Sequence, residues 1–236
     1  MAVPSADSAE IRVLASIALK GAYLELAPRF ERASGARLAT EWAGTGPIME
    51  RMQGGESADL VIGPAKLIDQ LIALGKIVPG SRADIARSGI GVAVQRGAPR
   101  PDLGSADALK RALLLAKSIA YSSGPSGVYL AGLFRQMGIA EELRPKVTQT
   151  PPGTFVGELV ARGEAEIGFQ QVAELFHVGG AIDFVGRLPP EIQQITVFSG
   201  GIHAGAKAPG AARALLRFLT GPDAAEVIRR KGMEPG

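Results

Sequence analysis

The sequence predicts an α/β fold in two lobes, each a mostly parallel sheet flanked by helices, with a central cleft and a hinge. Three observations carry that prediction. Short apolar strands alternate with helical patterns from residue 11 onward. The alternation occurs twice, as two separate βα series. Two long strand-like crossings, near residues 88–96 and 192–204, take the chain out of the first series and back. Lobe 1 is then residues 10–88 plus 200–236, and lobe 2 is residues 89–199.

Taken in order, Ile11–Ala15 is a short, continuously apolar strand that suits a parallel sheet covered on both faces. Ser16 follows, then a helical pattern through Phe30 that ends near Gly35, with Leu24, Ala27 and Phe30 at helical spacing. Leu38–Trp42 is the second strand. Gly44-Thr45-Gly46 turns tightly into a helix opened by Pro47, whose missing N–H would have been unpaired in any case. Gly54-Gly55 breaks that helix, Leu60–Ile62 is the third strand, and Lys66–Leu74 is a helix stopped by Gly75.

Ser88–Val94 is a strand leading through Gln95–Pro99 into a polar loop and a helix at Ser105–Leu115. The second series begins with the strand Ser118–Tyr121, the turn Ser122–Gly127 and the helix Val128–Met137. Lys146–Thr150 is the next strand, Pro151–Thr154 a turn, Phe155–Arg162 a helix and Ile167–Phe169 a strand. Gly179–Val185 reads as a hairpin or edge strand. Ile192–Ala204 returns the chain, and helices follow at Ala208–Thr220 and Asp223–Arg230.

Composition narrows the function. Across 236 residues, 46% are hydrophobic and the net charge is +3. That charge is dispersed and too small for a nucleic-acid footprint. No apolar stretch approaches the ~20 residues of a membrane span. Cysteine is absent and there are two histidines, His177 and His203, far apart in sequence. Thiolate chemistry is excluded, and no metal site is expected. Met1 precedes a polar stub, AVPSADSAE, which reads as a mature start left after removal of a signal peptide.

Four turns share one chemistry. Ser16 follows the first strand and Gly44-Thr45-Gly46 the second; Gly124-Pro125-Ser126-Gly127 and Pro152-Gly153-Thr154 open helices in the second series. Ligands of open α/β sheets lie beyond the carboxyl ends of the strands. Helix starts there offer unpaired N–H groups and a partial positive charge to an anion. A charge-assisted hydrogen bond contributes about 1.5–3 kcal/mol. Four to six of them reach the ~8 kcal/mol of micromolar binding after ordering costs. Neutral donors are therefore enough. Trp42, Tyr121, Tyr129 and Phe169 read as core or wall, Arg96 and the Glu164–Glu166 turn as solvated, and His203 as structural. No catalytic residue is assigned; His203, Glu158 and Lys20 are the candidates for a base.

The segments VLAS, WAGTGPIMERMQGG, ADLVIG, GPSGVY and ELVARGEAEIGFQQ resemble the molybdate-type substrate-binding proteins of ABC transporters, from about Ile11 to Leu219. The resemblance implies a type II periplasmic binding protein fold, a periplasmic location, an ABC permease as partner, a monomer and no cofactor. Its ligand contacts fall on Ser16, Thr45 with Gly46, Ser126 with Gly127, a position close to Thr154, and Gln171. At Gln171 the family's usual tyrosine hydroxyl is replaced by an amide, which both donates and accepts. An acceptor is unhelpful to a fully ionised oxyanion and suits a carboxylate or hydroxy acid. The GFQQ form is similar to the branch that includes aconitate isomerase and other organic-acid proteins. The implied function is capture of a small oxyanion or carboxylate, or else isomerisation of a tricarboxylate by a proton shift.

Overall fold

The first strand, β1 (Glu10–Ser16), enters a 3-10 turn at Ile17–Leu19 before α1 (Lys20–Ser34), which ends at the left-handed Gly35. The computed structural model describes residues 10–236, so the polar stub at the start lies outside the described residues. The chain continues through β2 (Arg37–Ala43), α2 (Thr45–Gln53), β3 (Leu60–Pro64), α3 (Ala65–Ala73) and β4 (Ala83–Gln95). Next come α4 (Ala106–Leu115), β5 (Ile119–Ser122), α5 (Pro125–Gln136), α6 (Ala140–Leu143), β6 (Val147–Thr150) and α7 (Val156–Ala161). The remainder is β7 (Ile167–Gln171), α8 (Val172–Val178), β8 (Ile182–Arg187), β9 (Ile195–Ile202), α9 (Pro209–Leu219), α10 (Pro222–Arg230) and β10 (Glu234–Pro235).

The chain divides into two compact units. The first runs to Ala86 and includes Val197–Arg230 and Glu234–Gly236; the second is Arg87–Thr196 with Lys231–Met233. In the first unit β1 pairs in parallel with both β2 and β3, and β3 pairs antiparallel with β9. Leu14, Ile48, Met52, Val61, Leu67, Ile68 and Leu71 fill the core on one side. In the second unit β5 lies between β6 and β7, parallel to both, while β7 and β8 run antiparallel to β4.

Alternation along these strands covers both faces of the second sheet. Val92, Val94, Ile119 and Phe169 join one cluster with Leu109, Leu130 and Phe134. Ala93 and Ala120 join the other, with Val156, Val160 and Leu175. The period-two exchange of faces produces two cores from one sheet. Gly168 is small for the same reason: a Cβ there would stand 2.4 Å from Val160, on the helix packed above.

The structure differs from the sequence reading at several points: α6 was not read, and Leu24, placed at helical spacing with Ala27 and Phe30, is 51% exposed. The helix α2 starts at Thr45, so Pro47 is its third residue. Strand β4 extends back to Ala83, where Gly236 N–H bonds the Ile85 carbonyl, a partner far away in sequence. Helix α8 follows β7 with no Gly or Pro between them; its start is marked only by Gln171 and, three residues on, Glu174.

Candidate functional site

In the first unit the parallel register sets Ser16 beside Ala43. The carboxyl ends of β1 and β2 therefore present Ser16 and the Gly44–Gly46 turn side by side. Ser16 is buried, and its Oγ accepts the Ala18 N–H at 3.4 Å, which leaves its own proton to donate. Gly44 has extended backbone and accepts the Ile48 N–H at 3.0 Å as the first bond of α2. The N–H groups of Thr45 and Gly46 precede that bond, and Pro47 has none. Thr45 is half-buried and Gly46 exposed. Lys20, four residues beyond Ser16, holds its Nζ 5.9 Å from the Trp42 ring centre.

In the second unit Ser122 is in register with Thr150, and Tyr121 with Phe169. One sheet edge thus carries the turns after β5, β6 and β7, which brings Ser126, Gly127, Thr154 and Gln171 to the same edge. Ser126 is 1% exposed, and its Oγ shares a hydrogen bond of 3.0 Å with Ser122 Oγ. Gly127 permits that turn, because a Cβ there would lie 1.5 Å from the Ser122 carbonyl oxygen. Two hydroxyls sharing one bond leave a second proton to offer.

The Thr154 turn behaves otherwise. Its backbone N–H bonds the Pro151 carbonyl at 3.2 Å, and its carbonyl receives Thr150 Oγ1 and Gln170 Nε2, each at 3.5 Å. The Val156 N–H at the start of α7 donates to Gln170 Oε1 at 2.7 Å. This helix start, expected to face an anion, has its donor taken by Gln170. The Thr154 hydroxyl remains, and Thr154 is half-buried.

Gln170 and Gln171 point to opposite faces, as neighbours on a strand must. Gln171 Nε2 donates to Thr196 Oγ1 at 2.9 Å, while its Oε1 is buried with no partner. Glu174 is buried at the first turn of α8. It accepts the Gln171 backbone N–H and a bond from the Gln170 side chain, and burial pushes its carboxyl up to about 8. Ser122, Thr150, Glu174 and Thr196 were not singled out in the sequence, and Gln170 was read only as the strand neighbour that points away from Gln171. The buried polar run GFQQVAE was the available signal.

The candidate bases are dispersed. His203 bonds the Asp59 carbonyl through its N–H, at the amino end of β3, the opposite sheet edge from Ser16 and Thr45. Burial lowers its pKa. Glu158 is exposed on α7. Among the described residues, no group of three His, Asp or Glu side chains is gathered for a metal.

A family model described as bacterial extracellular solute-binding protein matches residues 11–234. The chain is 41% identical to an aconitate isomerase of a Pseudomonas species over 231 residues, which is 95% of this chain and 87% of that one. It is 25% identical to a molybdate-binding protein of Azotobacter vinelandii over 235 residues, 97% of this chain and 91% of that one. The solved periplasmic molybdate-binding protein of Azotobacter vinelandii superposes with a TM-score of 0.80 at 20% identity, covering 96% of this chain and 99% of that one. The two share a fold.

Proposed function

The chain belongs to the family of bacterial extracellular solute-binding proteins, and on that premise we propose that it captures a small organic acid in the periplasm and delivers it to an ABC permease. The proposed ligand contacts are Ser16, Thr45, Gly46, Ser126, Gly127, Thr154 and Gln171. One observation carries the choice of an organic acid over a metal oxyanion: the buried, unpartnered Oε1 of Gln171. A lone pair facing a fully ionised oxyanion is repelled. A ligand hydroxyl or protonated carboxyl would supply the missing donor, and a buried acceptor without one costs about 1–3 kcal/mol. Thermal unfolding with citrate, malate, cis-aconitate, trans-aconitate, molybdate and sulfate tests this. Stabilisation by one or more organic acids is expected, and stabilisation by molybdate alone would overturn it.

A second reading is favoured by the 41% identity to an aconitate isomerase across 95% of this chain. On this reading a proton leaves the methylene carbon of cis-aconitate, the negative charge spreads over three carbons, and a proton returns at the far carbon with the double bond moved. Neutral donors at a sheet edge suit the carboxylates of that carbanion. Incubation with cis-aconitate, followed by NMR, should give trans-aconitate. Binding without conversion at high protein concentration leaves the receptor reading alone.

A further inference from the structure

Gln171 ends β7 with the two halves of its carboxamide in different states. Nε2 donates to Thr196 Oγ1 at 2.9 Å, whereas Oε1 is buried without a donor. The residue is 1% exposed, so this lone pair lies inside the protein and not in bulk water. Thr196, the second residue of β9, is brought there by a local clamp. The Gln193 carboxamide accepts the Ile90 N–H at 2.8 Å and donates to the Ile90 carbonyl at 3.0 Å. Ile90 is the register partner of Gln171 where β4 pairs with β7. Gly89 leaves room for the clamp, since a Cβ there would stand 3.2 Å from the Gln193 carboxamide carbon. Three residues beyond Gln193, Thr196 therefore arrives beside the Gln171 side chain.

A threonine hydroxyl carries one proton and two lone pairs. One lone pair of Thr196 receives Gln171, and among the described residues its proton has no acceptor. A free O–H and a free Oε1 thus stand side by side, joined by one hydrogen bond. A metal oxyanion or a bare carboxylate can use the donor and not the acceptor. A carboxylate with a hydroxyl on the adjoining carbon uses both. A protonated carboxyl would also do so, but an ordinary carboxyl is ionised at neutral pH, which leaves the hydroxyl as the donor. We propose that Thr196 is a specificity-determining contact and that the Thr196–Gln171 pair selects 2-hydroxy acids, the ligand carboxylate accepting the Thr196 proton while the ligand hydroxyl donates to Gln171 Oε1. This rests on the reading of the Gln171 edge as ligand-binding. By holding Nε2, Thr196 also fixes which end of the carboxamide faces the ligand. With the carboxamide reversed, Thr196 would give its proton to Oε1, Nε2 would face the ligand, and the site would favour an acceptor in place of the hydroxyl.

Two pairs of ligands that differ by this hydroxyl alone provide the test: citrate with tricarballylate, and malate with succinate, each measured by calorimetry. In the natural protein the hydroxy acid of a pair should bind tighter by about tenfold or more, because its counterpart leaves Oε1 without a donor. Thr196→Val, similar in shape but without the hydroxyl, should weaken the hydroxy acid about tenfold and shrink the ratio within the pair. Thr196→Ser should restore both. A purely structural Thr196 would lower the unfolding midpoint of the valine variant without moving the ratio, and that result overturns the proposal. So does a natural protein that binds tricarballylate or succinate as tightly as the hydroxylated counterpart. That outcome needs no variant and leaves the organic-acid reading standing. Binding by none of the four acids removes that reading and this inference together.

Discussion

Gly127 and Ser126 divide the work of one turn. Ser126 supplies a buried hydroxyl, and Gly127 lets α5 approach the strand end closely enough to present it. With a Cβ at 1.5 Å from the Ser122 carbonyl oxygen, Gly127→Ala must open the turn. We expect a loss of about 3 kcal/mol, the upper range for overpacking, read from chemical denaturation. Ser126→Ala removes the hydroxyl and fills no new space. It should leave the unfolding midpoint within a few degrees and weaken citrate binding roughly tenfold, as loss of one charge-assisted bond does. Thr45→Val, on the other unit, should act the same way. A variant that unfolds without losing affinity, or the reverse assignment of the two effects, contradicts this division.

At the scale of elements, what was legible depended on how local the cause is. Ser16, Gly44-Thr45-Gly46 and Gly124-Pro125-Ser126-Gly127 were readable because strand, cap and helix lie within ten residues of one another. The helix read at Phe155–Arg162 is present, but the partner of its Val156 N–H was not legible, because that partner is Gln170, fourteen residues later. The start of β4 was missed because its partner is the C-terminus. Asp59 is a further case. Just before the strand read at Leu60–Ile62, it is 2% exposed and its carboxylate accepts the N–H groups of Arg12, Lys207 and Ala208 at 2.7–2.8 Å. Ala208 is the cap of α9, so one side chain ties β1, β3 and that helix together. Asp59→Ala strands up to three partly buried donors, each costing at most about 1–3 kcal/mol before water enters. We expect a net loss of about 3 kcal/mol in denaturation, with Asp59→Asn milder because its carbonyl keeps part of the set.

For the whole molecule, the dependence of stability on pH combines shifted groups of opposite sign. Glu174 holds its proton up to about 8, above its ordinary 4.5. Between those values the folded chain keeps a proton that the unfolded chain has released, so this contribution is full below about 4.5 and is lost as pH rises through about 8. His203 has the opposite sign: its pKa is lowered from 6.5 by burial, so its contribution is present above 6.5 and lost as pH falls through the depressed value. Glu56, lowered by Arg51, likewise contributes above its ordinary 4.5, and its exposure to solvent keeps that small. Below 6.5 the groups oppose one another. From 6.5 to 8 the shift of Glu174 acts with one sign, and the modest net charge of +3 adds little self-repulsion across so narrow a window. The melting temperature, measured by calorimetry without ligand, should therefore fall between pH 6.5 and 8 and flatten above it, while Glu174→Gln removes the decline. A melting temperature that rises through that window, or a variant that declines as steeply as the natural protein, would place the proton elsewhere than on Glu174.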